Sequence, residues 1–181
     1  MEIEFGKTYT NPRSGGRATF VESWEDNGGA RTVQERVVPP GTGKAGPHYH
    51  LDFFQTWEIL DGTATMSMEG ETRTLRAGDR VELAEGTVHS DPWNEGTEDM
   101  TMRLTIEPVP KFVEVYAKTW LDGFVKGDLN DQDELPLLNI LVIARATNGQ
   151  SFASSPPRWV QNATLPLLAA IGRLRGYHAL T

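Results

Sequence analysis

Three of the four histidines in this 181-residue chain fall in two short windows, Pro47-His48-Tyr49-His50 and Gly86-Thr87-Val88-His89. Imidazole nitrogen is the commonest protein ligand for zinc, iron, manganese or nickel. Residues two apart on a strand face the same side, so His48 and His50 can aim both rings at one point. His89, about forty positions later, could bring a third nitrogen. A single histidine is more often a satisfied polar residue than a ligand, but three at this spacing read as a divalent-metal site. With no cysteine in the chain, thiolate ligands, disulfides and a cysteine nucleophile are excluded, and a metal must sit on His, carboxylate, amide or water. His178, beside Gly176 and past the last helical stretch, reads as a surface residue.

What must position those histidines is a β-rich segment. To about residue 107 the pattern has period two, clearest where Met100, Met102, Leu104 and Ile106 alternate with Thr101, Arg103, Thr105 and Glu107. Further strands are expected at 17–23, 31–38, 48–51, 55–60, 63–68, 71–75, 80–83 and 88–91, broken by turns such as Asp61-Gly62 and Glu69-Gly70. So many short strands imply a sandwich or barrel. After Pro108-Val109-Pro110 the period becomes helical: Phe112, Val115, Tyr116, Trp120 and Phe124 make one apolar stripe. Apolar segments at 135–146 and 156–175 follow. The last has Ser155 as candidate N-cap and a stripe of Val160, Ala163, Leu167, Ile171 and Leu174. We expect residues 1–108 to form the barrel and 109–181 a helical extension wrapped onto its outside, part of the same compact unit.

Composition narrows the function. A formal net charge of -8, with no basic stripe, argues against nucleic-acid binding. No basic n-region precedes an apolar run at the N-terminus, so a cytoplasmic protein is expected. The longest uncharged stretch, 159–172, is too short and too polar to span a bilayer.

The two histidine windows resemble the paired motifs of the cupin superfamily over roughly residues 36–106. The first motif reads His48-Tyr49-His50, four residues, Gln55, six residues, Gly62; the second reads Gly78, then Ala84-Glu85-Gly86, then His89, with Ala84 in the usual proline position and Asn94 one residue late. The whole chain resembles bacterial conserved-barrel cupins with a C-terminal helical extension, a group with no settled reaction. The resemblance implies a mainly β fold, the antiparallel double-stranded β-helix or jelly-roll barrel, with the helical extension packed on it. It implies a divalent metal ion (zinc, iron, manganese or nickel) on His48, His50, Gln55 and His89. Gln55 stands where the family usually has Glu; its amide oxygen brings no charge and should hold a metal more weakly. Glu58 falls on the opposite face by parity, whereas Asp52 has the right parity if its strand runs straight.

Parity places Gln55, Trp57 and Ile59 on one side, and Ala64, Met66 and Met68 on one side. With Tyr49, Phe53, Met66, Trp57, Trp93 and Met102 around it, the pocket would take an apolar or aromatic small molecule. Two functions follow: a metal-dependent enzyme of oxygenase, isomerase or cyclase type, or a non-catalytic small-molecule binder with a weak or absent metal site. A homodimer paired through barrel edges is also expected.

Overall fold

The computed structural model describes residues 2–181. Ten strands come first: β1 (Thr8–Thr10), β2 (Arg17–Glu22), β3 (Thr32–Val38), β4 (His48–His50), β5 (Phe54–Asp61), β6 (Thr63–Met68), β7 (Glu71–Arg76), β8 (Arg80–Leu83), β9 (His89–Trp93) and β10 (Met100–Glu107). Then come α1 (Lys111–Lys126), α2 (Leu137–Thr147), β11 (Ser151–Ala153) and α3 (Arg158–Leu174). One sheet has the order β1-β2-β3-β10-β5-β8 and the other β11-β4-β9-β6-β7, with antiparallel pairing. They face each other as the barrel that the alternating pattern implies. The expected strands recur within a residue or two; the short β1 and β11 were not expected.

Register explains which side chains meet inside. Phe20 pairs with Gln34, Gln34 with Leu104, and Leu104 with Trp57; one row away Ala18, Arg36, Met102 and Ile59 are matched in the same way. These rows share one face of the six-stranded sheet, most of it buried. The opposite face carries Arg103, bridging Glu35 at 2.7 Å and Glu58 at 3.4 Å. Glu58 therefore faces away from the core. Gly62, the last residue of the first motif, has φ +77, and a Cβ there would lie 3.2 Å from Asp99 O and Met100 Cα. Only glycine combines that turn with that approach.

The helical extension covers an inner face rather than the outside of the barrel. The six-stranded sheet is wider than its partner, and α1 lies over the uncovered part. The Arg36 guanidinium sits 4.2 Å above the Trp120 ring, and Trp120, only 2% exposed, donates from Nε1 to Asp133 O at 2.8 Å. Asp133 also accepts from Asn11 Nδ2 at 2.9 Å and Ser14 Oγ at 2.5 Å, which ties the N-terminal arm to the extension.

Each helix begins directly after a proline, Pro110, Pro136 or Pro157, with no side-chain cap. Ser155 is therefore not the N-cap of α3. Gln161 does the tethering instead, donating to Ala153 O and Pro156 O and accepting from Ala153 N. The stripe read for α3 is also not a buried one. Its contact with α2 runs through the small residues Ala169 and Gly172, because a Cβ at Gly172 would come within 2.9 Å of Leu138 O. Leu167 and Leu174 remain exposed. Among the described residues no helix is long and apolar enough to cross a membrane.

Candidate metal centre

His48 and His50 share a face of β4, and His48 pairs directly with His89 of β9. The three rings consequently converge: one ligand nitrogen from each lies within 4.8 Å of the other two. The other nitrogen of every ring is already engaged. His48 Nδ1 lies 2.7 Å from Gly46 O, His89 Nδ1 2.9 Å from Thr87 O, and His50 Nδ1 2.7 Å from Ser151 Oγ. A carbonyl oxygen only accepts, so Nδ1 of His48 and of His89 is the donor, and the neutral ring then presents its lone pair at Nε2. Nε2 of His50 and of His89 is buried with no hydrogen-bond partner.

Burial holds His50 well below the ordinary imidazole pKa, with the neighbouring His48 and His89 adding to the effect. Burial also lowers His89, against the opposing pull of the Asp91 carboxylate. Neutral imidazole is the ligand form. Three buried or half-buried lone pairs converging without protein donors fit a divalent cation, since such atoms are otherwise costly to bury.

The remaining site expectations fare differently. Gln55 reaches the interior from β5 of the opposing sheet; it is 6% exposed and its Oε1 has no partner. Trp57, Met66 and Met102 lie in the buried core, and Phe53 stacks on His50 with ring centres 4.2 Å apart. Tyr49 does not line the interior: between two inward histidines it must face outward, and its ring packs on Phe152 of β11. Trp93 does not line it either. A register shift between Thr65 and Ser67 sets Trp93 opposite Thr65, whose hydroxyl bonds exposed Glu95, and Lys44 covers the Trp93 ring. A bulge of this kind reverses parity along a strand. Asp52 sits in the bend after β4, its Oδ1 buried without a partner, and burial raises its pKa with help from Glu85. Asn94 serves the turn rather than the site, donating from Nδ2 to Val38 O and Glu98 O and accepting from Gly96 N.

Two residues at the histidines escaped the sequence reading. Ser151 reaches His50 because β11 pairs with β4, Ser151 opposite His50; a three-residue strand in a helical tail leaves no periodic signal. Asp91 places Oδ1 3.7 Å from His48 Nε2 and 3.6 Å from His89 Nε2. Its signal was available, since His89-x-Asp91 repeats the spacing of His48-x-His50.

Two cavities lie away from the ring nitrogens. One, of about 20 Å³, is bounded by Arg36, Met102, Trp120 and Glu134. The other, of about 270 Å³, is walled by Met66, Met68, Leu75 and Val81, with Arg73, Asp79 and Arg80 around it. Met68 is the β6 partner of His89.

Residues 34–107 match the family model described as Cupin domain. An uncharacterized protein of Aquifex aeolicus is 32% identical over 60 residues, 33% of this chain and 47% of the relative; the match thus spans about half of that protein's length. Among solved structures, a predicted oxalate decarboxylase from Thermotoga maritima aligns at 25% identity over 60% of this chain and 100% of its own, with a TM-score of 0.48. A Cupin 2 conserved barrel domain protein from Salinispora arenicola aligns at 25% identity over 59% of this chain and 88% of its own, with a TM-score of 0.45.

Proposed function

We propose, from the match of residues 34–107 to the Cupin domain family model and the histidine geometry, a divalent-metal cupin that acts on a small organic molecule. The observation that supports it is the shared orientation of the three imidazoles: each Nδ1 is engaged by a neighbouring oxygen, leaving three Nε2 atoms for one cation. When bound, a divalent ion supplies Lewis acidity, or electron transfer if it is redox-active.

The protein's own groups set what reaches that point. His89 is sealed, its side chain 1% exposed, whereas His48 is 22% exposed, so a substrate approaches from the His48 side. Gly46 O and Thr87 O hold His48 and His89 in one tautomer and orientation, and Ser151 Oγ orients the His50 ring. Phe53, stacked on His50, shields one flank from water. Phe53 and the buried Trp57, Met66 and Met102 make the interior apolar, suited to an apolar or aromatic substrate. An isomerase, cyclase or oxygenase reaction fits such a site. The neutral Gln55 favours a second reading, a non-catalytic binder in which the ring nitrogens hold the ligand by hydrogen bonds.

Elemental analysis of protein purified without added metal separates the two. The enzyme reading expects about one zinc, iron, manganese or nickel ion per chain, held by the histidine set. Protein that is metal-free and takes up none of these ions on incubation would refute it.

A further inference from the structure

We propose that Asp91, and not Gln55, supplies the oxygen that completes the histidine centre, giving a three-imidazole, one-carboxylate ligand set carried by the β4–β9 pair. The inference rests on the metal-binding reading above and identifies which residue provides its charge.

Distance is the first argument. Asp91 Oδ1 lies 3.7 Å from His48 Nε2 and 3.6 Å from His89 Nε2, longer than a charged N–H···O hydrogen bond. Two ligands each about 2.1 Å from one tetrahedral ion are separated by about 3.4 Å. Relative to His48 and His89 the carboxylate oxygen therefore stands where a neighbouring ligand stands, not where a hydrogen-bond acceptor does, and His50 joins the set through its own convergence with those two rings. The tautomers agree: with Nδ1 of His48 and His89 donating to carbonyls, the neutral rings turn Nε2 lone pairs, not protons, toward Asp91.

Burial is the second. Asp91 Oδ1 is buried and accepts no hydrogen bond. A carboxylate oxygen in that state is expensive unless a cation answers it, and among the described residues no lysine or arginine forms a salt bridge with Asp91. Topology is the third. His48, His89 and Asp91 come from directly paired strands, so their geometry depends on one register, and the β6–β9 shift occurs beside Asp91. Bulges re-aim side chains in this way. Gln55 belongs to the other sheet and has no charge to offer.

The test is calorimetric titration of the full, chelator-stripped chain with Zn²⁺, folding being checked by circular dichroism. Asp91→Asn should weaken binding on the order of 100-fold or more, exceeding the 10–100-fold typical of an outer-shell partner. Gln55→Met, which keeps the volume and removes the amide, should change affinity less than about threefold. Asp91→Glu retains the charge and should bind more tightly than Asp91→Asn, which keeps the comparison decisive if the amide variant folds poorly. Unchanged affinity in Asp91→Asn, or a loss confined to Gln55→Met, overturns the assignment while leaving the histidine site intact. Failure of the wild type to bind Zn²⁺, Mn²⁺, Fe²⁺ or Ni²⁺ overturns the assignment together with the metal reading.

Discussion

The inner face of the six-stranded sheet is covered in two ways, and its two halves treat buried polar atoms differently. Under α1, Asp133 collects Asn11, Ser14 and the Trp120 indole, Arg36 bonds Gln34 and lies on Trp120, and Tyr116 donates to Glu134 at 3.0 Å. Under the second sheet, His50 Nε2, His89 Nε2, Gln55 Oε1 and Asp91 Oδ1 are buried without partners. A paired network rigidifies and specifies a fold, whereas a concentrated set of unpaired atoms marks a place for something that is not protein. Gln34 Nε2, Asn139 Oδ1 and the indole nitrogens of Trp57 and Trp93 are also unpaired, but they are scattered singly rather than gathered at one point.

Breaking the paired half should cost stability and leave the histidine cluster alone. Trp120→Ala removes a fully buried ring from the α1 contact and should destabilise by about 3–5 kcal/mol. Chemical denaturation measures it, and a change below about 0.5 kcal/mol, usual for surface positions, would show that α1 is not a core contact.

The same half has a pH signature. Burial raises Glu134 from 4.5 to about 7, opposed by Arg36 and the Tyr116 hydrogen bond and reinforced by Asp91 and Asp133. A carboxyl with a folded pKa above its unfolded value stabilises fully at low pH. That contribution fades as pH rises from about 4.5 to about 7 and is gone above. Glu134→Gln should flatten this decline, an effect on the order of 1–3 kcal/mol, seen in denaturation midpoints at pH 5 and 8. Identical pH slopes in both proteins would contradict it.

Ser151→Ala tests where the halves meet. Losing the hydroxyl that orients His50 should weaken metal binding about 10–100-fold while costing only about 0.5–1.5 kcal/mol of stability. Equal affinity with and without the hydroxyl would remove the extension from the site. The smallest effect is expected on the outer surface of α3: Trp159, 74% exposed, should tolerate Trp159→Ser within about 0.5 kcal/mol.

How far all this could be read from the residues follows from which signals are local. Alternation located nearly every strand, because a half-buried strand writes its own period, and the His-x-His pair with a later histidine identified the site, because parity alone brings two of those rings together. Three kinds of feature were not legible. The bulge that turns Trp93 outward, three residues of β9 against two of β6, shows only once the two strands are paired. The placement of α1 on an inner face depends on one sheet being wider than the other. Ser151 acts through pairing across strands, 101 positions from His50; Asp91 does share the spacing of a ligand with His89, but that spacing alone does not show which carboxylate meets the rings.

The most direct test of the centre is anomalous diffraction from a crystal of the wild-type chain soaked in zinc. The account predicts one strong peak about 2.1 Å from Nε2 of His48, His50 and His89, with Oδ1 of Asp91 at bonding distance. Zinc bound only elsewhere on the chain, or no peak between these four side chains, would contradict it.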